Sequence, residues 1–463
     1  MNRNAVLFVG LLLVAASPVA TTLPFPPSGH PPLLAEEKSP RGLAYRRIHT
    51  AGADGVRIEV VWPSDQGVRP DANQDVATIG CNLVLSGGAE GSTPGEAVEI
   101  FADLGAKVGL WAREGEAGAR LYMPHRNLAA AVTQANAHLR APVMAENWFQ
   151  RERDDLAGKT REDRALPDRQ LHDALRYAFL GDGPLRRSMT GERPEAVMGI
   201  SRDDVMAWHR TTFTWHPKTI IIAGDLSQAE AGKTVDAFLA GLPDVSAPAS
   251  AVTVRTDFHP RRILLHVPAA KTSTLLIAGA LPPIIVGLKR EDDFLLDALA
   301  GPGGVLFERV RSDLHAAYAF DWNVEYAGDD ARYFRIEGEV ETAMVARADA
   351  GLRQAYAIFW EAAAPMNLDD MRARAVASLR STRDDPAGAA NELLFDLRTG
   401  QDPAVLENPE AFLANVTDES VMKRLQGAFP KPAELTVMAV SPDANALPGA
   451  CVITAPEQAV NCN

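Results

Sequence analysis

Cysteine is scarce in this sequence, which has only Cys81, Cys451 and Cys462 among its 463 residues. In an oxidising compartment, Cys451 and Cys462 could close a short loop near the C-terminus, which would leave Cys81 unpaired. The residues after Cys81 include the apolar run 83–85. We therefore expect Cys81 to be a buried and inert thiol.

Positive charge is also in short supply, because 46 Lys and Arg stand against 60 Asp and Glu and give a formal net charge of -14. Neutralising phosphate groups needs a basic face, so this balance argues against a nucleic-acid-binding protein. Hydrophobic residues make up 46% of the chain and charged residues 23%. This composition is close to the globular average and, at this length, predicts two to three domains with sizeable cores and not a disordered chain.

Long hydrophobic runs are absent, since no segment reaches the roughly 18 apolar residues that cross a bilayer. The longest run, 5–16, follows Arg3 and leads to small residues that end at Ala20. We interpret residues 1–20 as a secretory signal peptide and expect an exported protein with no membrane contact after cleavage. An uncleaved membrane anchor is the alternative.

The rest of the chain reads as two α+β halves of similar size. Residues 21–44 are rich in proline and predict a lead-in without regular structure. The first half covers 45–241, a segment rich in Pro, Ser and Ala at 242–260 is the predicted linker, and the second half covers 261–463. Each half mixes strands with helices and contains a buried strand near its end, TIIIAGD in one and ELTVMAV in the other.

Local signals place several elements. Thr93, followed by proline, predicts the cap of a helix that stops at Gly105. The strings VGLWAR and ARLYMPH, separated by glycines, predict a β-hairpin. Ser201 predicts the cap of another helix, SRDDVMAWHRTTF.

Several strings in both halves are similar to the insulinase, or pitrilysin (M16), family of zinc peptidases, especially its short bacterial branch with two homologous domains. The strings are YAFLGDGPLRR, Gly191, ISRDDVMAWHRTTFTWHP and IIIAGDLS in the first half, and LAGPGGVLFERVRSDLHAAYAF in the second. The resemblance covers most of residues 45–440. It implies two homologous α/β-sandwich halves, a clam-shaped architecture and a periplasmic location.

The zinc motif of that family is missing. In active members, two His four residues apart on a helix bind zinc, and the Glu between them activates water. The resemblance places this motif at 78–82, where the chain reads T-I-G-C-N, and places the third ligand near Lys159. Because zinc needs three or four N, O or S donors, we expect no metal and no other cofactor in this chain.

The resemblance also assigns two site residues in the second half. Arg311 and Tyr318 stand at the spacing of the family's Arg/Tyr pair, which grips the substrate backbone from the domain opposite the zinc. A guanidinium can donate to a peptide carbonyl, and a phenol can stabilise a developing oxyanion. The family usually has Gly three residues before the Tyr, where this chain has His315.

Two functions are consistent with this pattern. The first is a zinc-free subunit that supplies Arg311 and Tyr318 to a zinc-bearing paralogue with the His-x-x-Glu-His motif, so that the heterodimer hydrolyses peptides. The alternative is a catalytically inert peptide-binding or scaffold protein. An active peptidase with an unfamiliar metal site is a third possibility.

Overall fold

The computed structural model describes residues 33–67, 69–70, 72–247, 255–283, 290–301, 304–306, 320–328, 331–362 and 367–462. The predicted signal peptide, 1–20, lies outside the described residues. No helix among the described residues is both long enough and apolar enough to cross a membrane.

The first half contains a sheet and nine helices among the described residues. Its strands are β1 (Leu33–Lys38), β2 (Ala44–His49), β3 (Gly55–Pro63), β4 (Lys107–Arg113), β5 (Glu116–Pro124) and β6 (Thr219–Gly224). Its helices are α1 (Asp75–Ser86), α2 (Glu96–Asp103), α3 (Leu128–Arg140), α4 (Glu146–Ala165), α5 (Pro167–Phe179), α6 (Pro184–Thr190), α7 (Pro194–Met198), α8 (Arg202–Thr212) and α9 (Gln228–Phe238).

The second half repeats this plan. Its strands are β7 (Arg262–His266), β8 (Ser273–Leu281), β9 (Asp321–Tyr326), β10 (Arg332–Val340), β11 (Thr436–Ser441) and β12 (Cys451–Ile453). Its helices are α10 (Glu291–Ala300), α11 (Val345–Ala362), α12 (Leu368–Asp384), α13 (Pro386–Thr399), α14 (Pro409–Leu413) and α15 (Asp418–Ala428).

The two sheets have matching strand orders, β1-β2-β6-β3-β5-β4 and β12-β7-β11-β8-β10-β9. In both, a parallel pair, β2 with β6 and β7 with β11, is followed by antiparallel strands. The outer strands next to β2 and β7 differ, because β1 is antiparallel to β2 whereas β12 is parallel to β7. Strands of one half that are separated along the chain, such as β3 and β6, lie side by side. The predicted α+β class with two similar halves is therefore confirmed.

One helix of each half packs on the sheet of the other half. Helix α5 of the first half lies on the second sheet, where its apolar side chains join a buried cluster with those of β7, β8, β10 and β11. Helix α13 of the second half lies on the first sheet, where Leu393 and its neighbours share a cluster with Ile48, Val61 and Ile221. The opposite face of the first sheet packs on α1, α3, α8 and α9 of its own half. Each sheet is thus packed on both faces, by helices of its own half on one face and by a helix of the other half on the other.

Polar contacts reinforce the packing of α13 on the first sheet. The guanidinium of Arg398 pairs with Glu116 of β5 at 3.0 Å and lies 4.4 Å from the ring centroid of Trp111. Arg57 of β3 donates to Asn391 at 3.3 Å. These contacts fix the direction in which α13 crosses the strands.

Strand β1 corrects one prediction. It lies within the segment 21–44, for which the sequence predicted a lead-in without regular structure, and it pairs antiparallel with β2. The prediction is wrong for 33–38 because this stretch, LLAEEK, contains no proline, so its amides can pair with β2. The predicted linker, 242–260, lies between α9 and β7 and stays a prediction.

The cysteines are arranged as the sequence suggested. Cys451 and Cys462 form a disulfide across a Cα–Cα distance of 5.8 Å. Cys81 is free and 5% exposed. Burial raises the pKa of its thiol, which therefore stays protonated and unreactive.

Candidate functional site

Helix α1 carries the positions at which the resemblance places the zinc motif. Thr78 is partly buried, Cys81 is buried in the core of the first half, and Asn82 is exposed. A hydroxyl, a protonated thiol and an amide are poor zinc donors, because the metal favours thiolate, imidazole and carboxylate. The residues at these positions therefore do not fit a zinc ion.

The position of the third ligand is also changed. Lys159, the predicted position, is exposed on α4. One carboxylate of α4 does face α1, because Asn82 Nδ2 donates to Glu152 Oε2 at 3.1 Å and Ser86 Oγ donates to Glu152 Oε1 at 3.3 Å. Direct hydrogen bonds thus join α1 and α4. Glu152 could not be predicted from the sequence, because α4 contains several acidic residues and no local signal distinguishes this one.

Close packing behind α1 holds the helix in place. A Cβ atom at Gly80 would lie 2.3 Å from the ring of Trp208 on α8, which is closer than atoms can approach. Helix α1 is therefore seated directly on α8, and glycine is required where the two helices touch.

A cleft of about 110 Å³ lies at the N-terminal end of α1. Thr78, the position of the first predicted ligand, lines this cleft together with residues of α5, α6 and the β4–β5 turn. The polar groups around it bond one another: Arg169 donates to the backbone oxygen of Thr190 at 2.6 Å, and Ser188 donates to Glu114 at 3.3 Å. No group of three or more His, Cys, Asp or Glu placed to hold a metal ion occurs in the described parts of the chain.

Arg311 and Tyr318, the predicted site residues, lie outside the described residues, as does His315. The structure describes what flanks them along the chain, which is α10 before and β9 after. Strand β9 begins at Asp321, three residues after Tyr318. The contacts that hold α10 and β9 fix the two described elements between which Arg311 and Tyr318 lie along the chain.

Strand β9 is anchored to the other half through Glu325. Arg176 of α5 donates to both carboxylate oxygens of Glu325, at 3.1 and 3.2 Å, and Arg335 of β10 donates at 3.1 Å. The hydroxyl of Tyr333 adds a bond of 2.7 Å. Burial alone would raise the pKa of Glu325, but the charges of Arg176 and Arg335 outweigh it and hold the pKa at about 2. Glu325 is thus ionised and fully paired at neutral pH.

Helix α10 is anchored by a second buried charge cluster. Arg290, at its start, bonds Glu392 and, at 2.9 Å, Asp396 of α13. Burial raises the pKa of Asp396 to about 8, because the charge of Arg290 offsets only part of the effects of burial and of nearby carboxylates such as Glu392 and Asp293. Burial likewise raises the pKa of Asp293 to about 6. At neutral pH, Asp396 is therefore mostly protonated.

Comparisons with known proteins show the fold. No family model and no curated protein matches the sequence. Among solved structures, the inactive domain of an M16 peptidase from Pseudomonas fluorescens matches with a TM-score of 0.76 and 15% identity, over 89% of this chain and 98% of that chain. A protease from Helicobacter pylori matches with a TM-score of 0.74 and 13% identity, over 89% and 100% of the two chains.

A third match differs in length. The periplasmic protease PqqL from Escherichia coli matches with a TM-score of 0.69 and 15% identity, over 92% of this chain but only 50% of PqqL. The chain thus has the fold of M16 peptidases and corresponds to half of a longer protease of that fold. The resemblance predicted from the sequence strings is confirmed at the level of the fold, and a neighbour of the same fold is itself an inactive domain.

Proposed function

We propose that this protein is the non-catalytic subunit of a heteromeric M16-type zinc peptidase of the periplasm. One observation carries the proposal: a well-formed M16-like fold presents Thr78, Cys81 and Asn82 on α1, where an active member needs two His and a Glu. A chain that keeps the whole fold but cannot hold the metal can still supply the other half of a site.

The length of the chain supports a partner. PqqL contains, besides the part that this chain matches, a second part of equal length. We infer that a separate chain, a paralogue with the His-x-x-Glu-His motif, supplies the corresponding part here. Zinc is expected in that partner only.

Arg311 and Tyr318 are the residues through which this chain would act. The guanidinium of Arg311 would donate to a carbonyl of the bound peptide, and the hydroxyl of Tyr318 would donate to the oxyanion as it forms. Among the described strands, none pairs with the outer edge of β9, which begins three residues after Tyr318. An extended peptide can be held by adding a strand to such an edge.

The test is peptide cleavage by the purified protein mixed with the partner. We expect neither chain alone to cleave and the mixture to do so. Arg311→Ala combined with Tyr318→Phe should lower the rate of the mixture by about a hundredfold or more, which is the usual cost of losing an oxyanion donor. Arg347→Ala, at an exposed arginine of α11, is the matched control and should leave the rate unchanged.

Binding must be measured beside cleavage. Size-exclusion chromatography should show that the double variant still forms the heterodimer, so that the lost rate reports on chemistry and not on assembly. An unchanged rate for the double variant would refute the assigned roles. A stable homodimer that binds peptides and ignores the paralogue would instead support the inert peptide-binding or scaffold protein.

A further inference from the structure

The C-terminal loop, residues 451–462, is closed by the disulfide and lies at the edge of the second sheet. Its first residues form β12, which pairs with β7 in parallel. A short 3-10 helix, Pro456–Asn461, follows and brings Cys462 back to Cys451. The loop therefore has a fixed shape that depends on one covalent bond.

This loop packs on α5, the helix that the first half lends to the second sheet. Ile453, Ala459 and Cys462 are buried in the same apolar cluster as Leu171 and Leu175 of α5. The helix is thus enclosed between the second sheet and the disulfide-closed loop.

Polar contacts tie the loop to both halves. Glu457 lies 3.6 Å from Arg164 at the end of α4 and 3.6 Å from Arg193, both in the first half. Arg261, next to β7, donates to the backbone oxygen of Cys462 at 2.9 Å. The loop therefore touches the first half through Glu457 and is anchored to the second through Arg261 and β12.

We propose that the Cys451–Cys462 disulfide is a redox-sensitive clasp, which holds α5 against the second sheet when it is formed and lets the loop and α5 open locally when it is reduced. The proposal rests on the described loop alone and is independent of the proposed peptidase role.

The reaction is a thiol–disulfide exchange with a dithiol reductant. A thiolate of the reductant attacks the sulfur of Cys451, which is partly exposed, whereas Cys462 is 2% exposed. The Sγ–Sγ bond breaks, and Cys462 leaves as a thiolate and takes up a proton. The second thiol of the reductant then displaces Cys451, so that the protein gains two thiols and the reductant becomes a disulfide.

Loss of the bond removes the covalent cross-link between the two ends of the loop. Without it, 454–462 is held by β12, a strand of three residues, by its packing on α5 and by the hydrogen bond from Arg261 to Cys462. A segment without the cross-link gains more conformational entropy by detaching. Detachment would remove from α5 the apolar contacts of Ile453, Ala459 and Cys462. Helix α5 also carries Arg176, which bonds Glu325 of β9. Opening of α5 would therefore also weaken the contact that holds β9.

The test is hydrogen exchange of the full-length protein, oxidised or treated with dithiothreitol. Alkylation and mass measurement should first show two new labelled thiols after treatment. We expect backbone amides of α5 and of 451–462 to exchange about tenfold faster in the reduced protein, because local opening sets their exchange rate. Helix α9, which lies away from the clasp, serves as the internal reference and should not change.

Two variants complete the test. Cys451→Ser combined with Cys462→Ser should match the reduced wild type and stop responding to dithiothreitol. Cys81→Ala should respond as the wild type does, which shows that the buried thiol plays no part. The clasp is refuted if reduction speeds exchange in 451–462 but leaves α5 unchanged, or if the double serine variant exchanges like the oxidised protein.

Discussion

Replacing Asp396 by Asn tests the buried charge cluster between α10 and α13. The side chain of Asp396 is fully buried, with 0% of its surface exposed, and it accepts a hydrogen bond from Arg290 at 2.9 Å. Burial raises its pKa to about 8. Asparagine has nearly the shape of a protonated aspartic acid and cannot ionise, so Asp396→Asn should mimic the neutral side chain at every pH.

The size of the effect follows from the difference between the folded and unfolded pKa of Asp396, about 8 against an ordinary 3.8. Between these values the folded protein holds a proton that the unfolded chain has released. Each pH unit in this range therefore lowers the unfolding free energy of the wild type, relative to the variant, by about 1.4 kcal/mol. This stabilisation is complete below the unfolded pKa and is lost as the pH rises through the folded pKa. From about pH 5 to pH 7 the difference should change by roughly 3 kcal/mol.

The assay is urea unfolding of both proteins, followed by tryptophan fluorescence, in steps from about pH 5 to pH 9. We expect the stability of Asp396→Asn relative to the wild type to rise steadily and to level off above about pH 8. Asp384→Asn, at an exposed carboxylate near the end of α12, controls for the loss of a charge at the surface. A relative stability of Asp396→Asn that stays constant over this range, with both proteins folded, would refute a neutral Asp396.

Three further substitutions test the packing of the fold, each by its shift in urea unfolding. Arg176→Met leaves the Glu325 carboxylate buried without its partner from the other half and should cost about 3 kcal/mol; an unchanged midpoint would show that the pair does not join the halves. Gly80→Ala places a methyl group against Trp208 and should cost about 2 kcal/mol, whereas a neutral result would mean that α1 and α8 can move apart freely. Ser201→Ala removes the capping box of α8 and should cost about 1 kcal/mol, and no loss would show that the cap contributes nothing.

Local signals predicted much of the fold because short-range physics decides those elements. Ser201 caps α8 as expected, with its hydroxyl accepting from the backbone of the third helical residue. The prediction that Thr93 caps α2 is only partly correct. The amide of Thr93 donates to Glu96, but the residue that precedes α2 is Gly95, at a φ of +89°. Because Gly95 adopts a left-handed conformation, α2 begins two residues later than a cap at Thr93 would place it.

The two helices that join the halves are absent from the sequence prediction. Helices α5 and α13 begin with Pro167 and Pro386 at the first helical position, which is a usable signal. Their partners were not predictable from local pattern, because α13 packs on strands such as β3, more than 300 residues away along the chain. The same holds for Glu152, whose contact with α1 depends on how α4 is placed.

The packing of α5 and α13 on the sheet of the opposite half affects how a peptide could reach a site. The second face of each sheet is covered by a helix of the other half, so separating the halves would expose two apolar clusters to water and break the ion pairs of Glu325 with Arg176 and of Glu116 with Arg398. Burial of that much apolar surface makes such an opening costly compared with the stability of a typical domain. We therefore expect the two halves of this chain to move as one body, apart from the local opening of α5 proposed for the reduced clasp. Any chamber that opens for a peptide would then lie between this chain and the proposed partner.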